Sequence, residues 1–190
     1  MKKVILSAIF FCTVIALSNA FAQGIGLGIK AGANFANQDI TDISTNSRTG
    51  FNGGAYLLLA FSEKWAVQPE FLFSSQGSEI PDLNEIRQLD YFSIPVLLRW
   101  KPISLLSFHA GPQFSSLLSA VDKSGDSIKE DFKKSDLGLA LGASVHLPLG
   151  LNGGLRYVWG FTDVADFQND TEVKNRAIQV FVGWTMFGAN

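Results

Sequence analysis

The chain has 190 residues, with 15 Lys and Arg against 17 Asp and Glu, two histidines and a single cysteine. Near-neutral charge without a basic block argues against a nucleic-acid partner, and one cysteine cannot build a disulfide or thiolate-metal framework. Hydrophobic residues make up 47% and mean hydropathy is +0.19, yet no stretch beyond the N-terminus is long and apolar enough for a membrane helix.

The first element, "MKKVILSAIFFCTVIALSNAFAQ", has a basic start (Lys2, Lys3), an apolar run from Val4 to Leu17, and the small-x-small stretch Ala20-Phe21-Ala22. This plan predicts a secretory signal peptide over residues 1–22, cleaved after Ala22. Cys12 lies inside the apolar run with no small residue before it, so a lipid-modified cysteine is not expected and the mature chain has no thiol. Loss of Lys2 and Lys3 leaves 13 basic residues (15 minus 2) against 17 acidic ones, a net charge near −4. Residues 23–190 have the length of one domain.

In "GIGLGIKAGANFANQ" the glycines suggest a phosphate loop. However, Ile25, Leu27, Ile29, Ala31, Ala33 and Phe35 recur at every second position, and no helix follows to receive a phosphate. The stretch reads as a strand with one apolar and one bare face. The same alternation continues through Phe51–Phe61, Trp65–Phe73, Phe92–Trp100, Leu106–Phe114, Leu137–Leu147, Leu155–Phe161 and Ile178–Met186, which gives eight strands. Short turns at 62–64, 102–104 and 148–150 alternate with longer polar connections at 37–49, 76–88, 121–135 and 163–175. Strict short–long alternation predicts an antiparallel meander, with strands of roughly 9–11 residues if it spans a bilayer.

A soluble eight-stranded cup would turn its apolar face inward. Here the other face is largely Gly, Ala, Ser, Asn and Gln, a poor soluble exterior but a good filling for a narrow interior. The apolar face also carries aromatics near its ends. Phe61, Trp65, Trp100 and Trp184 fall at the short-turn end, and Phe35, Phe51, Phe73, Phe92, Trp159 and Phe161 at the long-loop end. Two aromatic belts around an apolar band predict an all-β, eight-stranded antiparallel up-and-down transmembrane β-barrel.

The stretches "GIKAGANFAN", "TGFNGGAYLLLAFSEKWAVQPEFLFSSQG", "YFSIPVLLRW", "HAGPQFSSLLSA", "DLGLALGASV", "GGLRYVWGFTDV" and "KNRAIQVFVGW" follow one another along nearly the whole mature chain. In this order they resemble the PorT-type outer-membrane β-barrel family of Bacteroidota. The resemblance implies an outer-membrane barrel whose namesake is tied to secretion and gliding machinery, a role that fold alone does not transfer. Many such barrels end on an aromatic residue, whereas this chain continues past Phe187 to Gly188-Ala189-Asn190.

Eight strands leave room inside only for side chains. With short loops, Lys30, Tyr56 and Glu70 are expected level on the first three strands, with Arg99 and Arg156 also inside. They would form a charge network that fills the lumen or, alternatively, a narrow path favouring anions. Pairing Leu117 with Gly138 would set His109 opposite His146, a weak candidate metal or pH-sensitive site. Ser107 and Ser144 lie near these histidines, but no acid completes a triad and no G-x-S-x-G elbow occurs, so an enzyme is not expected. No cofactor or resident metal is predicted. The expected partners are outer-membrane lipid and lipopolysaccharide around a monomer, with a protein partner at the polar outer loops as an alternative. One of those loops carries Asp163, Asp166, Asp170 and Glu172.

Overall fold

The computed structural model describes residues 24–40, 46–80, 85–122, 124–131, 135–162 and 173–187. The predicted signal peptide, the acidic loop at 163–172 and the terminal residues 188–190 lie outside these. The described chain is strands β1 (Ile25–Ile40), β2 (Asn46–Ala60), β3 (Trp65–Ile80), β4 (Glu85–Ile103), β5 (Leu106–Val121), β6 (Ser135–His146), β7 (Leu151–Gly160) and β8 (Val173–Phe187). Each pairs antiparallel with the next and β8 pairs with β1, which closes an eight-stranded barrel.

Most strands are longer than a bilayer requires, up to 19 residues in β4, while β7 has 10. Much of the polar sequence expected as loop is strand: β1 runs to Ile40, β3 to Ile80 and β4 starts at Glu85. Once a hairpin clears the apolar band, both faces meet water, so the ladder persists while the alternation that reveals it fades.

The two faces are sharply different. Outward positions are exposed and apolar, among them Ile29, Phe71, Leu98, Leu141, Leu155 and Val180. Inward positions are buried and mostly polar, as in Asn34, Asn52, Ser74, Gln113, Ser144 and Gln179. An apolar exterior of this extent has no water-soluble solution and calls for lipid. At the short-turn end Trp65 stacks near Trp100 (6.0 Å between ring centroids), and Trp100 near Phe108 (5.9 Å). Phe61 lies in the β2–β3 turn of this end, and the Trp184 indole Nε1 donates to the Leu149 carbonyl at 2.9 Å, tying β8 to the β6–β7 turn. At the other end Phe51 lies 6.5 Å from Phe73, which pairs with Phe92, and Trp159 lies 5.7 Å from Phe161. Phe35 pairs with Thr49 at the same end.

Candidate functional site

Glycine on one strand makes room inside for a large residue on the next. Gly28 pairs with Tyr56, and a Cβ there would collide with the phenol ring. Gly32 and Gly154, which flank β8 on either side, pair with Phe181; a Cβ at Gly154 would lie 2.9 Å from the ring's Cζ, and one at Gly32 would meet the β8 backbone at the Val180 carbonyl and Phe181 Cα. Gly28 and Gly154 thus leave room for aromatic rings, while Gly32 lets β1 lie close against β8.

Around Phe181 lies a layer of charge. Arg156 donates from both terminal nitrogens to the two oxygens of Glu70, each at 2.7 Å, and Lys30 Nζ lies 3.3 Å from Glu70 Oε2. Gln68 donates to Glu70 Oε1 at 2.7 Å. Lys30 Nζ also sits 3.6 Å from the Phe181 ring centroid, with the Arg156 guanidinium carbon at 5.5 Å. Such cation–π contacts add to the ion pairs in a desolvated interior.

Tyr56 and Arg99 stand apart from this triad. Tyr56 pairs with Glu70 as expected, but Lys30 pairs with Gly54, so of the three residues expected level only Lys30 is offset, by two positions. The Tyr56 hydroxyl instead hydrogen-bonds Thr185 Oγ1 at 2.8 Å and accepts from Asn152 at 3.1 Å, nearer the short-turn end. Arg99 donates to Gln68 Oε1 at 3.5 Å and to His146 Nε2 at 2.8 Å.

The expected His109–His146 pairing is corrected by the register. His109 stands opposite Gly142, Gln113 rather than Leu117 opposes Gly138, and the His146 backbone N–H bonds Leu105. Each imidazole meets its own arginine, His109 Nε2 accepting from Arg156 Nε at 3.2 Å and His146 from Arg99. A guanidinium has no lone pair, so each Nε2 must offer its own. Those lone pairs point at arginines, and no group of three or more potential metal ligands occurs among the described residues. Ser107 Oγ lies 2.7 Å from His146 Nε2, a nucleophile–base spacing. The ring's other neighbour is a guanidinium where a triad needs a carboxylate.

A dry layer adjoins the charged one on its long-loop side. Ala36, Leu97, Ala140, Val158 and Ala177 form one buried apolar cluster, and Leu72 is buried completely. Leu72, Leu97 and Val158 sit two residues along the inner faces from Glu70, Arg99 and Arg156. The void among Lys30, Tyr56, Arg99, His109 and His146 holds only about 10 Å³, at the limit for one water.

Closed strand order, a lipid-compatible exterior and a packed lumen define an outer-membrane β-barrel protein. The chain belongs to the outer membrane protein beta-barrel domain family, which matches residues 19–166. No curated protein matches it in sequence. Among solved structures it is similar to Ail, the attachment invasion locus protein of Yersinia pestis, at TM-score 0.53 and 14% identity, covering 86% of this chain and 98% of that one. Neisserial surface protein A gives TM-score 0.53 at 14% identity, covering 83% and 96% of the two chains. OprG of Pseudomonas aeruginosa gives 0.50 at 13%, covering 85% and 94%. At these identities the likeness is one of fold.

Proposed function

We propose that this protein is a non-conducting outer-membrane barrel with a structural or binding role, which presents its long-loop end to the exterior while its lumen stays sealed. The observation that carries this reading is the stacking of a buried apolar layer on a buried charged one. An ion must shed water to pass the first and displace fixed partners to pass the second. The short turns then face the periplasm and the extended hairpins face outward, following the general plan of such barrels.

Planar-bilayer recording of the purified protein tests it, with silence expected. Steady anion-selective steps would instead favour a small pore, the reading that the cationic excess of Lys30, Arg99 and Arg156 over Glu70 supports. PorT-type membership and a place in a secretion or gliding complex rest on the motif resemblance, and a pulldown from native membranes separates that role from a free-standing barrel. Ail has been solved with the heparin analogue sucrose octasulfate, but a likeness at 13% identity assigns no such ligand here. The reading includes export through a signal peptide cleaved after Ala22. Intact mass of outer-membrane material corresponding to a chain that begins at Gln23 tests that step, and retention of Met1 would refute it.

A further inference from the structure

At the short-turn mouth a pocket of about 320 Å³ opens beneath the charged layer, near the lower end of the roughly 300–1,000 Å³ typical of small-molecule sites. Its floor is Arg99 and His146, its rim includes Lys101, Ser104 and Thr185, and none of its lining residues is acidic. Arg99 is 8% exposed, and its hydrogen-bond partners, Gln68 and His146, are both uncharged side chains. Among the described residues no carboxylate forms an ion pair with it, since Glu70 is engaged by Lys30 and Arg156. A guanidinium buried this far without a counter-ion is costly unless an anion completes it.

We propose that this mouth binds the phosphate of a phospholipid headgroup from the periplasmic leaflet. Arg99 and Lys101 are alternate residues of β4, which places two cations roughly 7 Å apart on one side of the strand. Ser104 and Thr185 supply hydroxyl donors, the pattern that suits an oxyanion. Two features select a lipid over free phosphate. Trp100, between the two cations in sequence, lies in the aromatic cluster of the short-turn end, so the pocket sits at headgroup depth. Leu105, Leu147 and Leu151 also line the pocket while remaining 51%, 53% and 48% exposed, which gives an acyl chain an apolar exit toward the bilayer.

The test uses the full mature chain, refolded in a phosphate-free maltoside detergent and examined by native mass spectrometry. Phosphatidylethanolamine should be retained, and diacylglycerol with the same acyl chains should not. Lys101→Gln and Arg99→Gln should each weaken retention about tenfold, the scale of one lost charge-assisted hydrogen bond. Lys64→Gln, at the exposed neighbouring turn, should leave it unchanged. Lys101 is only partly buried, so its variant keeps the test readable if Arg99→Gln fails to fold. Equal retention of diacylglycerol, or equal effects of Lys101→Gln and Lys64→Gln, would overturn the site. Saturable binding of inorganic phosphate without lipid retention would overturn the lipid assignment. None of these outcomes depends on whether the lumen conducts.

Discussion

Arg156 on β7 grips both carboxylate oxygens of Glu70 on β3, 86 residues away in the chain, at 2.7 Å each, with both side chains fully buried. The pair spans the barrel interior instead of running along its wall. Removing Glu70 strands two cations, Arg156 and Lys30, in a medium that cannot solvate them. Glu70→Ala should therefore cost about 3–5 kcal/mol, read from urea unfolding in lipid vesicles. Glu63→Ala, in the exposed β2–β3 turn, should stay within about 0.5 kcal/mol. Equal costs would remove the charge layer from any stabilising role.

The Glu70→Ala barrel should also remain electrically silent. Leu72, Leu97 and Val158 stay in place when the carboxylate is gone, and the dry layer alone still excludes hydrated ions. Conductance appearing with Glu70→Ala would show that the ion pairs, and not the apolar layer, form the seal.

On the outer face, Leu57 pairs with Leu27 and lies between the belt residues Phe51 and Phe61. Leu57→Arg should cost roughly 2–4 kcal/mol, as arginine does near the bilayer midplane, and Ile103→Arg at the short-turn end about 0–1 kcal/mol. The inward Asn52 lies toward the long-loop end of β2. It is fully buried and donates to Asn34 Oδ1 at 2.8 Å, so Asn52→Arg should be severe as well. A reversed order for the two outward sites would place the membrane elsewhere on the barrel.

Two glycines should respond oppositely to alanine. At Gly28 an added methyl meets the Tyr56 ring and lies 2.7 Å from the Trp184 carbonyl, so Gly28→Ala should destabilise by about 1–3 kcal/mol. At Gly153 the nearest atom would be 3.4 Å away, and Gly153→Ala should be neutral or stabilise by up to about 1 kcal/mol. Thermal unfolding of the two variants in one detergent decides it.

Strand number and faces were legible because lipid outside and protein inside impose a period of two along every strand. Register was not. Sliding one strand past another by an even number of residues keeps every side chain on its own face, so alternation cannot tell Gln113 from Leu117 as the partner of Gly138. The meeting of His109 with Arg156, and of His146 with Arg99, was invisible for that reason. The dry layer escaped for another. Leu72 and Leu97 sit within "FLF" and "VLL", where an apolar neighbour on each side hides an inward leucine. Phe181 was concealed in the same way between Val180 and Val182, although Gly154 beside it was the trace of its bulk.

The pairing of β1 with β8, from Leu27 through Ile40, has a consequence for biogenesis. The first strand waits for the last one before its second edge is covered, and Glu70 on β3 draws its partners from β1 and from β7. A chain delivered short of β7 thus holds both an open seam and a carboxylate that still lacks Arg156. No subset of hairpins offers a resting place. Assembly of this barrel is committed only when the whole polypeptide has arrived, and a chain truncated before its final strand should be degraded instead of inserted.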